Sequence, residues 1–145
     1  MLLRASAAAL LVVVATPAEA AICTLSLPTG GTLSLSSDGL RLGSEEATVP
    51  TPGTLTVLSV GSSTLTVDPP VLTQSPVGYQ SAGEVREVRY SAPLSGATQA
   101  YTTVSTSFTV PNLINPVLLT LHARITNPAG FAAGTYQART VVTCS

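Results

Sequence analysis

The chain holds one histidine, His122, and seven acidic residues, so acid–base chemistry has few places to arise. A serine nucleophile needs a base beside it, and that base needs a carboxylate to hold it. His122 lies in "LTLHARI", in the phase opposite Leu119, Leu121 and Ala123. On a strand that phase points to solvent. Asp38 and Asp68 both stand at turn signals, where aspartate is favoured for local backbone reasons. Serines are plentiful and mark nothing by themselves. No catalytic residue is assigned, and the chain is not expected to be an enzyme. Glu45-Glu46 offers two carboxylates, but a hard cation wants several oxygens from one loop. No Asp-x-Asp-x-Asp pattern is present, so no metal and no cofactor are expected. The pair reads as a solvated loop.

The two cysteines, Cys23 and Cys144, stand near opposite ends of the chain. There is no Cys-x-x-Cys and no histidine close enough to complete a zinc site. Two cysteines allow one intramolecular pairing. Around the first, Cys23, Leu25 and Leu27 alternate with Thr24 and Ser26. Around the second, Tyr136, Ala138, Val142 and Cys144 share a phase against Gln137, Arg139 and Thr143. Both sulfurs therefore belong to the apolar faces of their strands. The expectation is a Cys23–Cys144 staple between first and last strands lying side by side.

Charge and aromatic content exclude further classes. Lysine is absent, and Arg41, Arg86, Arg89, Arg124 and Arg139 are the basic residues of the body. A near-neutral chain cannot collect the phosphate contacts that nucleic-acid binding rests on. The arginines are expected to pair with Glu84 and Glu87 or to guard a strand edge. Tryptophan is also absent, and tyrosine occurs at 79, 90, 101 and 136. Tyr79, in "SPVGYQS", is the candidate ligand contact, with packing of a turn as the alternative role.

These residues must be held by strands, because helix signals are missing. Short alternating runs are bounded by proline, glycine and aspartate. "ICTLSL", "TLSLSS", "LRLGS", "TLTVLSV", "TLTVD", "VLTQS", "EVREVRY", "YTTVSTSFTV", "VLLTLHARIT" and "TYQARTVVTC" all read as strands. Asp38-Gly39 predicts a type I′ hairpin turn. In "EVREVRY", Val85 and Val88 are out of phase, which predicts a bulge or an exposed edge. Val104, Phe108 and Val110 are expected on one face. "SAPLSGATQA", residues 91–100, is expected to be a long loop. The fold class is all-β, an immunoglobulin-like or Greek-key sandwich, with a closed barrel as the alternative.

The opening "MLLRASAAALLVVVATPAEAA" has a basic residue, Arg4, and an apolar run too short to span a bilayer. Ala18 and Ala20 occupy small-residue positions before a cut. Residues 1–20 are thus expected to be a signal peptide, and 21–145 a single domain. The mature chain then has no transmembrane segment and is secreted, periplasmic or at the cell surface. Export also places the cysteines where disulfides persist.

The ending "AGTYQARTVVTC" resembles the final strand of bacterial exported surface β-sandwiches, with Gly134 and Tyr136 at the matching positions. These are the chaperone–usher pilus subunits and the spore-coat-protein-U-type domains. The resemblance implies a structural or adhesive role at the cell surface, with a surface fibre as one form of it. Pilus subunits accept a strand from a neighbour. Here two residues would precede Cys23 after the cut, and one cysteine lies at the far end, so a self-sufficient domain is expected. Partners are expected to be surface proteins or further copies of the chain. The competing expectations are a small ligand- or glycan-binding module, with a cleft at Tyr101 and the arginines, and a secreted enzyme or inhibitor.

Overall fold

The computed structural model describes residues 22–112 and 115–145. The expected signal peptide lies outside the described residues. Twelve strands run through them: β1 (Ile22–Thr29), β2 (Ser34–Leu35), β3 (Arg41–Gly43), β4 (Gly53–Val60), β5 (Ser63–Val67), β6 (Val71–Gln74), β7 (Val85–Ala92), β8 (Ala97–Thr102), β9 (Thr106–Val110), β10 (Val117–Thr126), β11 (Gln137–Arg139) and β12 (Val142–Cys144). Among the described residues the only helical element is a 3₁₀ turn, Pro93–Ser95. The all-β expectation holds, and every strand pair is antiparallel.

The major sheet runs β1-β4-β10-β7-β8, with β3 and β2 completing its seven strands. The minor sheet is β12-β5-β9, and β6 and β11 form a separate ribbon. The alternating inner residues of the two sheets meet in one core. Leu55, Val57, Val88, Tyr90, Val117, Leu119 and Leu121 face Leu65, Val67, Val110 and Val142. A second cluster gathers Leu33, Leu42, Ala123, Ile125, Tyr136 and Ala138. Alternation in the sequence thus becomes burial, since a strand's successive side chains point to opposite faces.

Strands β3 and β4 both pair antiparallel with β10. Gly43 lies opposite Arg124, and Gly53 opposite Leu121. They form one interrupted strand from which residues 44–52 make an excursion. Two backbone bonds close its neck: the Ser44 amide to the Ala123 carbonyl at 3.0 Å, and the Thr51 amide to the Ser44 carbonyl at 2.9 Å. Gly31 runs against this neck. A Cβ there would lie 2.7 Å from the Gly53 nitrogen, so no larger residue fits without moving backbone.

Several local expectations are corrected. Asp38-Gly39 does close the β2–β3 hairpin, but not as a type I′ turn. Gly39 has φ of 72°, while no non-glycine among the described residues has positive φ. The Gly39 amide reaches the Ser36 carbonyl, and the Asp38 carboxylate accepts bonds from Ser36 Oγ and the Leu40 amide. Strand β7 is neither an edge nor bulged toward β10; its register there is regular, between β10 and β8. Val85 is simply on the outer face, and the irregularity lies on β8. Residues 91–100 form a tight connection through the 3₁₀ turn rather than a long loop. "YTTVSTSFTV" is split between β8 in one sheet and β9 in the other, leaving Val104 exposed, not in phase with Phe108 and Val110.

Cys23 and Cys144 form the expected disulfide, with Cα atoms 6.3 Å apart. The first and last strands do not lie side by side as expected, however: the bond joins β1, an edge of the major sheet, to β12, an edge of the minor one, across the two sheets. Both cysteines pack against the main core.

Candidate functional site

The excursion at 44–52 carries Glu45 onto the outer face of the major sheet. There β10 offers His122 and Arg124, and β7 offers Glu87 and Arg89, in directly opposed pairs. Tyr101 joins them because β8 shifts register between the partners of Val88 and Tyr90. That extra residue turns Tyr101 outward beside Arg89. Arg89 Nη2 donates to Glu45 Oε1 at 2.5 Å, and the Tyr101 hydroxyl donates to Glu45 Oε2 at 2.7 Å. Arg124 pairs with Glu87 at 2.8 Å, and its guanidinium carbon stands 4.0 Å from the Tyr101 ring centroid. Arg89 lies 5.6 Å from the same centroid. Glu46 turns back to Arg41 at 3.7 Å.

The electrostatics follow from this packing. Burial, followed by the bond to Glu45, pushes the Tyr101 phenol well above its ordinary range. The Glu87 carboxylate holds Arg124 protonated still more firmly. Burial lowers the His122 pKa, against the opposing pull of Glu45. The ion pairs are partly exposed, with Arg89 at 42% and Glu45 at 29% of side-chain surface. Such pairs contribute about 0–1 kcal/mol each. Their main effect is geometric: they fasten the excursion to the sheet.

His122 is not arranged as a relay base. Ser44 Oγ lies 3.1 Å from Nδ1, and Glu45 Oε1 lies 3.8 Å from the same nitrogen. A relay needs nucleophile and carboxylate on opposite ring nitrogens. Ser44 is also fully buried, so no substrate reaches its hydroxyl. His122 is on the outer face as its phase requires, but its side chain is only 12% exposed because the excursion covers it. This gives a pH dependence with a definite sign. The unfolded chain takes up a proton near 6.5, whereas the folded imidazole stays neutral to lower pH. Acid therefore favours unfolding through this group, and stability falls as pH drops through and below 6.5. The urea midpoint is expected to decline over that interval, with His122→Gln flattening the decline. An unchanged slope in the variant would show that His122 does not cause it.

Tyr79 packs into the second core cluster. Its ring stacks on Phe131 at 5.7 Å and meets the edge of Tyr136 at 5.5 Å. Its hydroxyl donates to Glu84 at 2.5 Å, and burial with this bond pushes its pKa up to about 12. Glu84 also takes Arg86, so the expected pairings of Glu84 and Glu87 with arginine are both present. Beside this group lies a shallow cleft of about 340 Å³, lined by Leu33, Leu35, Leu42, Phe131, Gly134 and Tyr136. Gly134 is required there: a Cβ would fall 2.3 Å from the Pro76 ring, at a φ of 152°. The Tyr136 hydroxyl donates to the Ala132 carbonyl at 2.9 Å. Both residues of the "G-x-Y" ending thus shape this end of the domain.

The outer face of the minor sheet is a hydroxyl surface. Thr143, Thr66 and Ser107 lie in register across its three strands, and Ser145, Thr64 and Thr109 form a second row. Thr66 and Ser107 exchange a hydrogen bond at 2.8 Å.

The sequence grouped Tyr101 with the arginines, but the Glu45–Arg89–Tyr101–Arg124 cluster as a whole was not legible in it. Its members are far apart in the chain, and only the β8 irregularity turns Tyr101 to their side. Among the described residues, no three His, Cys, Asp or Glu side chains gather to hold a metal. No helix among them is long and apolar enough to cross a membrane. The chain matches no known family model, no curated protein and no solved structure.

Proposed function

We propose that the protein is an exported, non-catalytic structural or adhesive component of the bacterial cell envelope or surface, of the kind that builds or decorates a surface fibre. The observation that carries this reading is the stapled, hydroxyl-lined minor sheet. Its two rows of Ser and Thr present uncharged groups that donate and accept hydrogen bonds. The covalent tie behind them keeps that surface in one shape. In this reading the sandwich is of immunoglobulin-like or Greek-key type. The chain passes between its sheets at Gly61-Ser62 and again between β8 and β9. A disulfide of this kind belongs to an oxidising compartment.

Fractionation of producing bacteria tests the role. The oxidised protein is expected outside the cytoplasm and open to added protease or antibody on intact cells. A reduced, cytoplasmic protein would overturn the proposal. A second reading, a glycan-binding module, is favoured by one observation: Tyr101 is flanked by Arg89 and Arg124 on an outer face. Binding to a glycan array that Tyr101→Ala abolishes would favour it over the first.

A further inference from the structure

Strand β1 is the longest unguarded edge among the described residues. Among the described residues it pairs with β4 alone, from Ile22↔Val60 to Thr29↔Thr54. Proteins protect such edges with charge, proline, bulges or brevity, because the free N–H and C=O groups recruit another strand. β1 has eight residues and no charged side chain. Its proline, Pro28, and its register shift both fall after Ser26, at one end. Ile22–Ser26 is left regular and bare. The other edges differ. β8 carries its irregularity and the arginine–glutamate cluster beside it. β12 has three residues, and β9 has five and runs into Pro111.

The side chains around β1 say what kind of strand fits. Its outer row is Ile22, Thr24 and Ser26, and its inner row is Cys23, Leu25 and Leu27. The inner row is only half-buried, although it packs against the core. Beside the outer row the exposed apolar residues gather: Ile22 at 57%, Val60 at 57%, Leu58 at 40% and Leu118 at 49%. An incoming strand must place apolar residues on the inner side and small hydroxyl or apolar residues on the outer side, and must bring no charge. β1 itself meets that description. In an antiparallel pairing centred on Thr24, Cys23 meets Leu25 of the second copy, and Ile22 meets its Ser26. Inner faces inner and outer faces outer, as the two-residue period requires. The same centring keeps Pro28 outside the pair.

We infer that β1 is a self-pairing edge: two copies join β1 to β1, antiparallel about a twofold axis, so that their seven-stranded sheets become one. An isologous contact of this kind closes on itself. The disulfide favours it, since Cys23 ties β1 to β12 and holds the edge ready, reducing the ordering cost of association. The pairing deepens the proposed role by naming a partner. It rests on that role only for its biological use, and the experiment reads the pairing itself. A failure to pair overturns this inference, while location on the cell still decides the role.

The experiment uses the full chain exported to a bacterial periplasm, disulfide intact. Sedimentation equilibrium is run over a hundredfold range of concentration, with amide hydrogen exchange measured at both extremes. The expected result is a reversible dimer. The alternate β1 amides that point away from β4 should exchange more slowly at high concentration. Thr24→Lys and Ser26→Lys alter exposed outer positions, and should leave the low-concentration melting temperature unchanged. At the axis, Thr24→Lys sets two ammonium groups against each other, so the dimer is expected to weaken at least about tenfold. Ser107→Lys, on the outer face of β9, should leave the dimer unchanged. A monomer at every concentration, or a dimer indifferent to both β1 variants, would overturn the inference. So would growth past the dimer into fibres that Thr24→Lys does not interrupt, which would mean that β1 is not the paired edge. The exchange pattern of the unaltered chain decides the matter even if a lysine variant folds poorly.

Discussion

Reducing the Cys23–Cys144 bond, or replacing both cysteines by alanine, is expected to remove about a third or more of the stability of the domain. The two positions are 121 residues apart. Closing a ring of that size restricts the unfolded chain by about 5 kcal/mol in the chain-entropy picture. A domain of this size is stable by about 5–15 kcal/mol in total. The native side contributes too, because both cysteines pack against the main core. The double alanine variant should therefore unfold at a much lower urea concentration than the oxidised chain, with a steeper slope because its unlinked unfolded chain exposes more surface. Urea titration followed by circular dichroism measures it. Reduction of the unaltered protein should reproduce the shift. A shift equivalent to less than about 1 kcal/mol would mean that the unfolded chain is already held compact by other contacts.

A second large effect is expected inside β10, where neighbouring leucines have opposite fates. Leu119 is fully buried between the sheets, and Leu118 is 49% exposed on the outer face. Leu119→Ala deletes buried methyl groups and leaves a cavity, for about 2–5 kcal/mol. Leu118→Ala removes far less contact and should stay within about 0.5 kcal/mol of the unaltered chain. The comparison holds strand, residue type and substitution constant, so only the face differs. Equal losses from the two variants would show that β10 does not sit in the register Val117↔Val57 to Leu121↔Gly53.

That register illustrates what the sequence reveals. The phase of Val117, Leu119, Leu121, Ala123 and Ile125 is enough to assign the buried face of β10, because burial follows the two-residue period. The cysteine pairing was legible for the same reason: each sulfur lies in phase with apolar neighbours. What the period cannot report is which sheet a strand joins. "YTTVSTSFTV" alternates across residues 103–105, where the chain leaves the major sheet for the minor one, so the period alone groups Val104 with Phe108 and Val110. Nor can it report an irregularity on a partner strand. The shift that turns Tyr101 outward is set by β8 against β7, and the odd valine phase in β7 was the wrong place to look for it. Glu45-Glu46 fits an ordinary solvated loop in the sequence. Its contacts with Arg89, Tyr101 and His122 exist because β3 and β4 share one flank of β10, forcing the chain between them out over the sheet. Tyr79 stands out in the sequence as an aromatic just after Pro76 and Gly78. Its neighbours Phe131 and Tyr136 come from the far end of the chain, so their packing on it could not be read locally.

The staple has one more consequence, for how the chain responds to a protease. With Cys23 and Cys144 joined, the backbone between them is a covalent ring. One cleavage anywhere within that ring opens it without releasing a fragment. The excursion at 44–52 is one place for such a cut, since Val49 is 71% exposed there and both ends of the excursion are pinned to the sheet. A chain nicked at that point keeps both pieces in one molecule, with the sheets on either side still paired. Only a second cut or a reductant frees a piece, so damage at a single exposed site is survivable.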